Sequence, residues 1–108
     1  MMPRTNRQKS IQQEEAAAKM IGGQRRRGSG SVPGLPGDAY GEHFLVECKF
    51  VNARSFSIKV GDLTKIEVAA FTAGKIPLFR FGFATGDRIA NEWVAFPAYL
   101  FPQVVKSR

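Results

Sequence analysis

Asp38, Glu47 and Lys49 are the residues of this chain whose types and spacing suit a defined chemistry. Hydrolysis of a phosphodiester calls for a divalent cation that polarises the phosphate and acidifies a bound water, and hard cations such as Mg2+ take carboxylate oxygens plus several waters. Asp38 and Glu47 supply such oxygens. In HFLVECKF (His43–Phe50), period-two alternation puts Leu45, Glu47 and Lys49 on one face and Phe44, Val46, Cys48 and Phe50 on the other. Lys49 thus stands one pleat beyond Glu47, placed to position the attacking water or to stabilise charge on the phosphate. The backbone carbonyl of Cys48, between the two side chains, is a natural further metal ligand, and Glu14 from an upstream helix completes the shell through water. An E-x-K triplet equally describes an ion pair on an exposed strand, with Asp38 an ordinary turn aspartate. The glycine-rich loop before the strand and the basic leading segment favour phosphate chemistry.

The elements that position these residues follow from periodicity and punctuation. Ser10 is a plausible N-cap with Gln13 three residues on, and Ile11, Glu14, Ala18 and Ile21 recur at helical spacing until Gly22-Gly23. Residues 1–9 lack such periodicity and read as a flexible basic arm, leaving residues 10–108 as one folded domain. From Gly28 to Gly41 the sequence GSGSVPGLPGDAYG reads as loop with at most short extended pieces. After the His43–Phe50 strand, SFSIKV (Ser55–Val60) alternates as a second strand, and GDLTKIEVAAFTAG (Gly61–Gly74) is a helix ended by glycine. IPLFRFGF (Ile76–Phe83) and EWVAF (Glu92–Phe96) form a hairpin about Ala84-Thr85-Gly86-Asp87. The order predicts an α/β fold: a single small domain with a mixed central β-sheet flanked by helices.

At 108 residues, 44% apolar, the chain supports one core and not two domains. Cys48 is the one cysteine, which removes the disulfide-rich secreted class. The longest apolar run, Trp93–Phe101, is nine residues and contains Pro97, too short for a bilayer span. The amino-terminal segment carries no apolar signal block, so a cytoplasmic location and no membrane partner are expected. Residues 1–31 hold seven basic and two acidic residues, +5 of the chain's net +7. Such a segment suits a polyanion, and Arg4, Arg7, Lys9, Arg25, Arg26 and Arg27 are the expected DNA-backbone contacts. Lone His43 reads as a strand-end residue, Cys48 as a buried thiol, and Phe79, Phe81, Phe83, Trp93 and Phe96 as core or subunit interface.

The order of motifs resembles the PD-(D/E)xK nuclease superfamily, and within it the small archaeal and phage Holliday-junction resolvases. The resemblance spans about residues 10–97. It rests on a helix glutamate (Glu14 or Glu15) ahead of Gly22-Gly23, on Arg27-Gly28-Ser29-Gly30, on Gly37-Asp38, on Glu47-Cys48-Lys49, and on Ser55-Phe56-Ser57-Ile58 before a helix ending Gly74-Lys75-Ile76-Pro77. It implies a restriction-endonuclease-like core, with Asp38 and Glu47 as metal ligands and Lys49 as the catalytic lysine. The helix glutamate would be an outer ligand, Glu14 in preference to Glu15, and a loop serine would contribute, Ser29 in preference to Ser31. Mg2+ is the implied cofactor, with Mn2+ as substitute. Gly37 departs from the proline of the superfamily name, and the short Asp38–Glu47 segment demands a tight turn with Gly41 at its corner. The implied activity is resolution of four-way DNA junctions by paired symmetric nicks, in a microbe or a phage-infected cell. One chain with one metal site cuts once, so a homodimer is expected. Alternatives are a nicking or restriction-like nuclease of the same superfamily, a non-catalytic nucleic-acid-binding module, and an interaction protein whose arm binds an acidic partner.

Overall fold

The computed structural model describes residues 4–26 and 37–107. Helix α1 (Asn6–Met20) comes first, then short strands β1 (Gln24–Arg25) and β2 (Ala39–Tyr40) and the long β3 (Phe44–Val51). Helix α2 (Val60–Thr72) follows, then β4 (Ile76–Thr85), β5 (Arg88–Ala95), a 3-10 turn (Ala98–Leu100) and α3 (Phe101–Lys106). The five strands form one mixed sheet in sequential order: β1, β2 and β3 are an antiparallel meander, β3 and β4 are parallel, and β4 and β5 an antiparallel hairpin. This is the α/β domain with helix-flanked mixed sheet that the sequence predicts. A parallel pair needs a crossover, and α2 is that crossover.

Helix α1 begins earlier than expected, which corrects the boundary at residue 9. Thr5, not Ser10, is the N-cap: its hydroxyl accepts from the Gln8 N–H at 3.1 Å and the Gln8 side chain accepts from the Thr5 N–H at 2.8 Å. That reciprocal box satisfies two of the first turn's orphan donors, and the Gln- and Ala-rich run that follows has high helix propensity. Residues 6–9 are therefore helix, and Lys9 is buried, its ammonium donating to Asn52 Oδ1 at 3.1 Å. The helix ends at Gly22, whose φ of +65° is the left-handed cap geometry.

The sheet has a core layer on each face. On one, Phe44, Val46 and Leu78 pack against Ala17 and Ala18 of α1, whose small side chains let helix and sheet approach closely. Beneath that layer Arg80 grips Glu92 with two bonds of 2.9 Å, while Gln13 donates to Glu92 (3.1 Å) and to the Lys49 carbonyl (2.9 Å). This polar network ties α1 to β3, β4 and β5, every buried side-chain polar atom among the described residues having a partner. On the other face Leu45 packs against Ile66 and Ala70 of α2.

One further expectation is corrected. Ser55–Lys59 is not a strand but an irregular connection, since among the described residues no strand pairs with it. Phe56 anchors it, its ring meeting Phe81 and Phe83 edge-on at centroid distances of 5.5 and 5.8 Å. Of the aromatics expected as core or subunit interface, Phe79 is buried in the core and Trp93, 62% exposed, lies outside it. Among the described residues no helix is long and apolar enough to cross a membrane.

Candidate metal centre at the open edge of β3

Strand β2 is only two residues long, pairing Ala39 with Val46 and Tyr40 with Leu45, so β3 loses its neighbour on that side from Glu47 onward. Asp38, immediately before β2, fills the gap. Its backbone is fixed on two sides, its N–H donating to Val46 O at 2.7 Å and its carbonyl accepting from Arg26 N–H at 2.8 Å. Its side chain then takes the place of a ladder partner: Oδ2 accepts from the Cys48 N–H at 2.8 Å. The N–H and C=O of one strand residue face the same edge, so the Cys48 carbonyl is presented on the Asp38 side. The turn from β2 to β3 is tight, closed by Gly41 N–H to Phe44 O at 3.0 Å.

Glu47 reaches the same edge. Its Oε1 accepts from the Gly37 N–H at 2.8 Å, one residue before the Asp38 whose Oδ2 takes the Cys48 N–H, so the two carboxyls converge on one edge. Gly37 has φ +102°, and a Cβ there would lie 2.7 Å from Leu45 Cδ1. A proline at this position has neither that φ nor an N–H to give. The departure from the superfamily name is thus tied to the job this residue does for Glu47.

Burial pushes the Glu47 carboxyl up to about 7, and the nearby Asp38 charge adds to the rise; the Gly37 N–H and Lys65 oppose it. Burial likewise raises Asp38, against the Cys48 N–H, the Glu47 bond and Arg26. Two desolvated carboxyls whose charges oppose each other favour a bound proton, or else a cation in the proton's place. Oxygen donors on an open edge, two of them side-chain carboxyls, fit a hard cation that keeps several waters. Among the described residues no group of three His, Cys, Asp or Glu side chains converges as a closed cage.

Glu14 is turned inward, its side chain 13% exposed, and Glu15 outward. Glu14 Oε1 lies 3.3 Å from Arg25 Nη1, and burial followed by the charge of Asp38 raises its pKa. It is carried by α1 and is near enough to Asp38 to feel its charge. Lys49 stands on the opposite, α2 side with its Nζ 3.4 Å from Asp62 Oδ2. Asp62 and Lys65 of α2 join Glu47, Cys48 and Lys49 around one cavity of about 230 Å³. Neither was singled out in the sequence, although a signal was there: Asp62, Lys65, Ile66, Ala69 and Ala70 form a single helical stripe whose first turn is charged and whose remainder is apolar.

The thiol of Cys48 is pushed far up by burial and the surrounding carboxyls, so it stays neutral and only its backbone serves the site. Of the basic residues, Arg25 is bound to Glu14, Arg26 lies over the Tyr40 ring at 5.6 Å, and Arg4 donates to Asp87 O at 3.4 Å. Arg7 is exposed. Lys9 is 6% exposed and tied to Asn52, which removes it from the backbone-contact set. Arg27 and Ser29, with the alternative Ser31, lie outside the described residues. No family model matches the chain, and no curated protein matches it.

Proposed function

We propose that the protein is a divalent-metal-dependent, structure-specific DNA endonuclease that resolves four-way junctions by paired symmetric nicks as a homodimer. The observation that carries this is the convergence of the Asp38 and Glu47 carboxyls on an unpaired strand edge, held by the Cys48 and Gly37 N–H groups, with the Cys48 backbone and Lys49 beside them. The helix, meander, helix and hairpin order supports reading the domain as a restriction-endonuclease-like core.

A bound Mg2+ or Mn2+ would polarise the phosphate and acidify a water next to it. Asp38, Glu47 and the Cys48 carbonyl would hold the ion, with Glu14 acting through water. Lys49 orients the water oxygen that attacks phosphorus, or neutralises charge on the phosphate oxygens as the phosphorus–oxygen bond to the leaving strand breaks. The leaving oxygen takes a proton from solvent or from a group at the site. Arg4, Arg7, Arg25, Arg26 and Arg27 lie in the segment that would follow the DNA backbone, reading phosphate positions rather than base edges. Val68 and Phe71 of α2 with Tyr99 and Phe101 are exposed apolar residues that suit the dimer contact. A reducing, cytoplasmic setting in a microbe or phage-infected cell belongs to the same reading.

The Lys49–Asp62 ion pair favours one alternative, a nucleic-acid-binding module in which that lysine is structural. A synthetic four-way junction and its matched linear duplex, incubated with Mg2+ or Mn2+ and then with chelator, separate the two. The enzyme gives paired metal-dependent nicks near the junction centre, and Asp38→Ala or Glu47→Ala abolishes them while binding persists. Unchanged cutting by either variant rejects the assignment, and binding without any metal-dependent cut selects the module.

A further inference from the structure

Trp93 is the chain's one tryptophan, and its place on the sheet is fixed by register. Lys49 on β3 pairs with Phe81 on β4, and Phe81 pairs with Trp93 on β5. The three residues occupy one rung, and register partners share a face. Trp93 therefore stands on the face that carries Lys49, about 10 Å from it across two interstrand spacings. Phe56, packed on Phe81 and Phe83, covers the sheet between them.

Beside Trp93 opens a groove of about 670 Å³ with Asn52, Arg54, Phe83 and Asn91 among its walls. The walls are held in place. Asn52 accepts from Lys9 Nζ at 3.1 Å and donates to Asn6 Oδ1 at 3.2 Å, fixing the loop to α1. The β4–β5 register slips between Phe81 and Phe83, and Asn91 takes φ +49°, a bulge that re-aims the end of β5. An open indole face flanked by an exposed guanidinium and an amide matches a nucleobase, which offers a flat π surface and a polar edge. Arg54 adds the charge a polyanionic strand selects, whereas a wholly apolar partner would desolvate Arg54 and Asn91 without compensation.

We infer that Trp93, with Arg54 and Asn91, is a stacking platform for an unpaired nucleobase neighbouring the phosphate seated at Lys49. A base already outside the duplex stack docks with little unpairing cost, so the platform selects branched, frayed or single-stranded DNA over continuous duplex. The inference rests on the nuclease reading for the phosphate's place at Lys49.

The lone tryptophan is its own probe. The full chain, in chelator to prevent cutting, is titrated with oligothymidylate and with an abasic oligomer of equal length. Stacking quenches tryptophan fluorescence with the first and not the second. By anisotropy of labelled oligomers, Trp93→Ala weakens oligothymidylate binding about tenfold and leaves abasic binding unchanged, and Trp93→Phe recovers most of the loss. Equal quenching by both oligomers, or unaltered oligothymidylate affinity in Trp93→Ala, overturns the platform. So does a protein-concentration-dependent fluorescence change without DNA that tracks dimer formation in sedimentation, since it gives this face to a second copy. Junction nicking with Mg2+ is scored in parallel. Nicking without base-dependent quenching condemns the platform alone, and base-dependent quenching without nicking condemns the nuclease reading alone.

Discussion

The Gly37 N–H donates to Glu47 Oε1 at 2.8 Å from a backbone with φ +102°. One glycine thereby orients the carboxyl that Asp38 faces, and it does so in a conformation that makes any other residue strained. Gly37→Ala keeps the N–H but adds a Cβ 2.7 Å from Leu45 Cδ1, and positive φ at a non-glycine costs about 1–3 kcal/mol. The expected result is a lower denaturant midpoint with weakened Mn2+ binding. Gly37→Pro, which also removes the donor, should lose more of both. A Gly37→Pro protein as stable as wild type, with unchanged Mn2+ affinity, contradicts this account of the position.

Glu47 gives the fold a pH dependence whose sign is fixed by its shift. In the unfolded chain its carboxyl loses its proton near the ordinary 4.5, whereas in the folded chain it holds the proton up to about 7. The folded state thus binds more protons between those values, and stability falls as pH rises through that window before levelling. Asp38 and Glu14, both raised by burial, push the same way. Melting temperature measured in chelator from pH 4.5 to 8 should decline for wild type and decline less for Glu47→Gln. An identical slope in the two proteins would falsify the raised Glu47 pKa.

Mg2+ or Mn2+ should reverse that loss. A cation that takes the proton's place binds the deprotonated pair, so its affinity strengthens as pH rises toward 7 and its binding releases protons. At a hundredfold excess over Kd the linkage adds about 2.7 kcal/mol. Calorimetry of Mn2+ binding in two buffers of different ionisation enthalpy reads the proton release directly, and Asp38→Asn should eliminate it together with the thermal shift. Full thermal stabilisation of Asp38→Asn by Mn2+ would place the ion elsewhere.

Much of this was readable in the sequence because period and chemistry coincided. The alternation of HFLVECKF placed Glu47 and Lys49 on one face, and β3 spans Phe44–Val51 as that pattern requires. Helix α2 and the β4–β5 hairpin carried equally plain apolar periods and glycine stops. What escaped was set by neighbours distant in the chain. Lys9 looks like a solvated lysine until Asn52, forty-three positions away, comes within 3.1 Å. SFSIKV alternates as a strand does, but a strand needs a free edge, and β4 already occupies that side of β3. Trp93 sits in a run as apolar as any core, yet it is exposed beside the bulge where the β4–β5 register slips.

The basic leading segment divides into groups with different work, and salt dependence separates them. Arg7 is exposed at the helix surface, whereas Lys9 is buried against Asn52 and Arg25 is paired with Glu14. Arg7→Ala should leave the denaturation midpoint alone and reduce the slope of log affinity against log salt by about one, the loss of one phosphate contact. Lys9→Ala should leave that slope alone and cost about 1–3 kcal/mol of stability, because the Asn52 carbonyl loses its donor in a part-buried site. Arg25→Ala stands between them. It leaves the Glu14 carboxylate without its cation, which raises the Glu14 pKa further and steepens the loss of stability with rising pH. Junction-binding isotherms at several salt concentrations, run beside chemical denaturation of the same three variants, check all of this, and a stability loss in Arg7→Ala with none in Lys9→Ala would reverse the assignment.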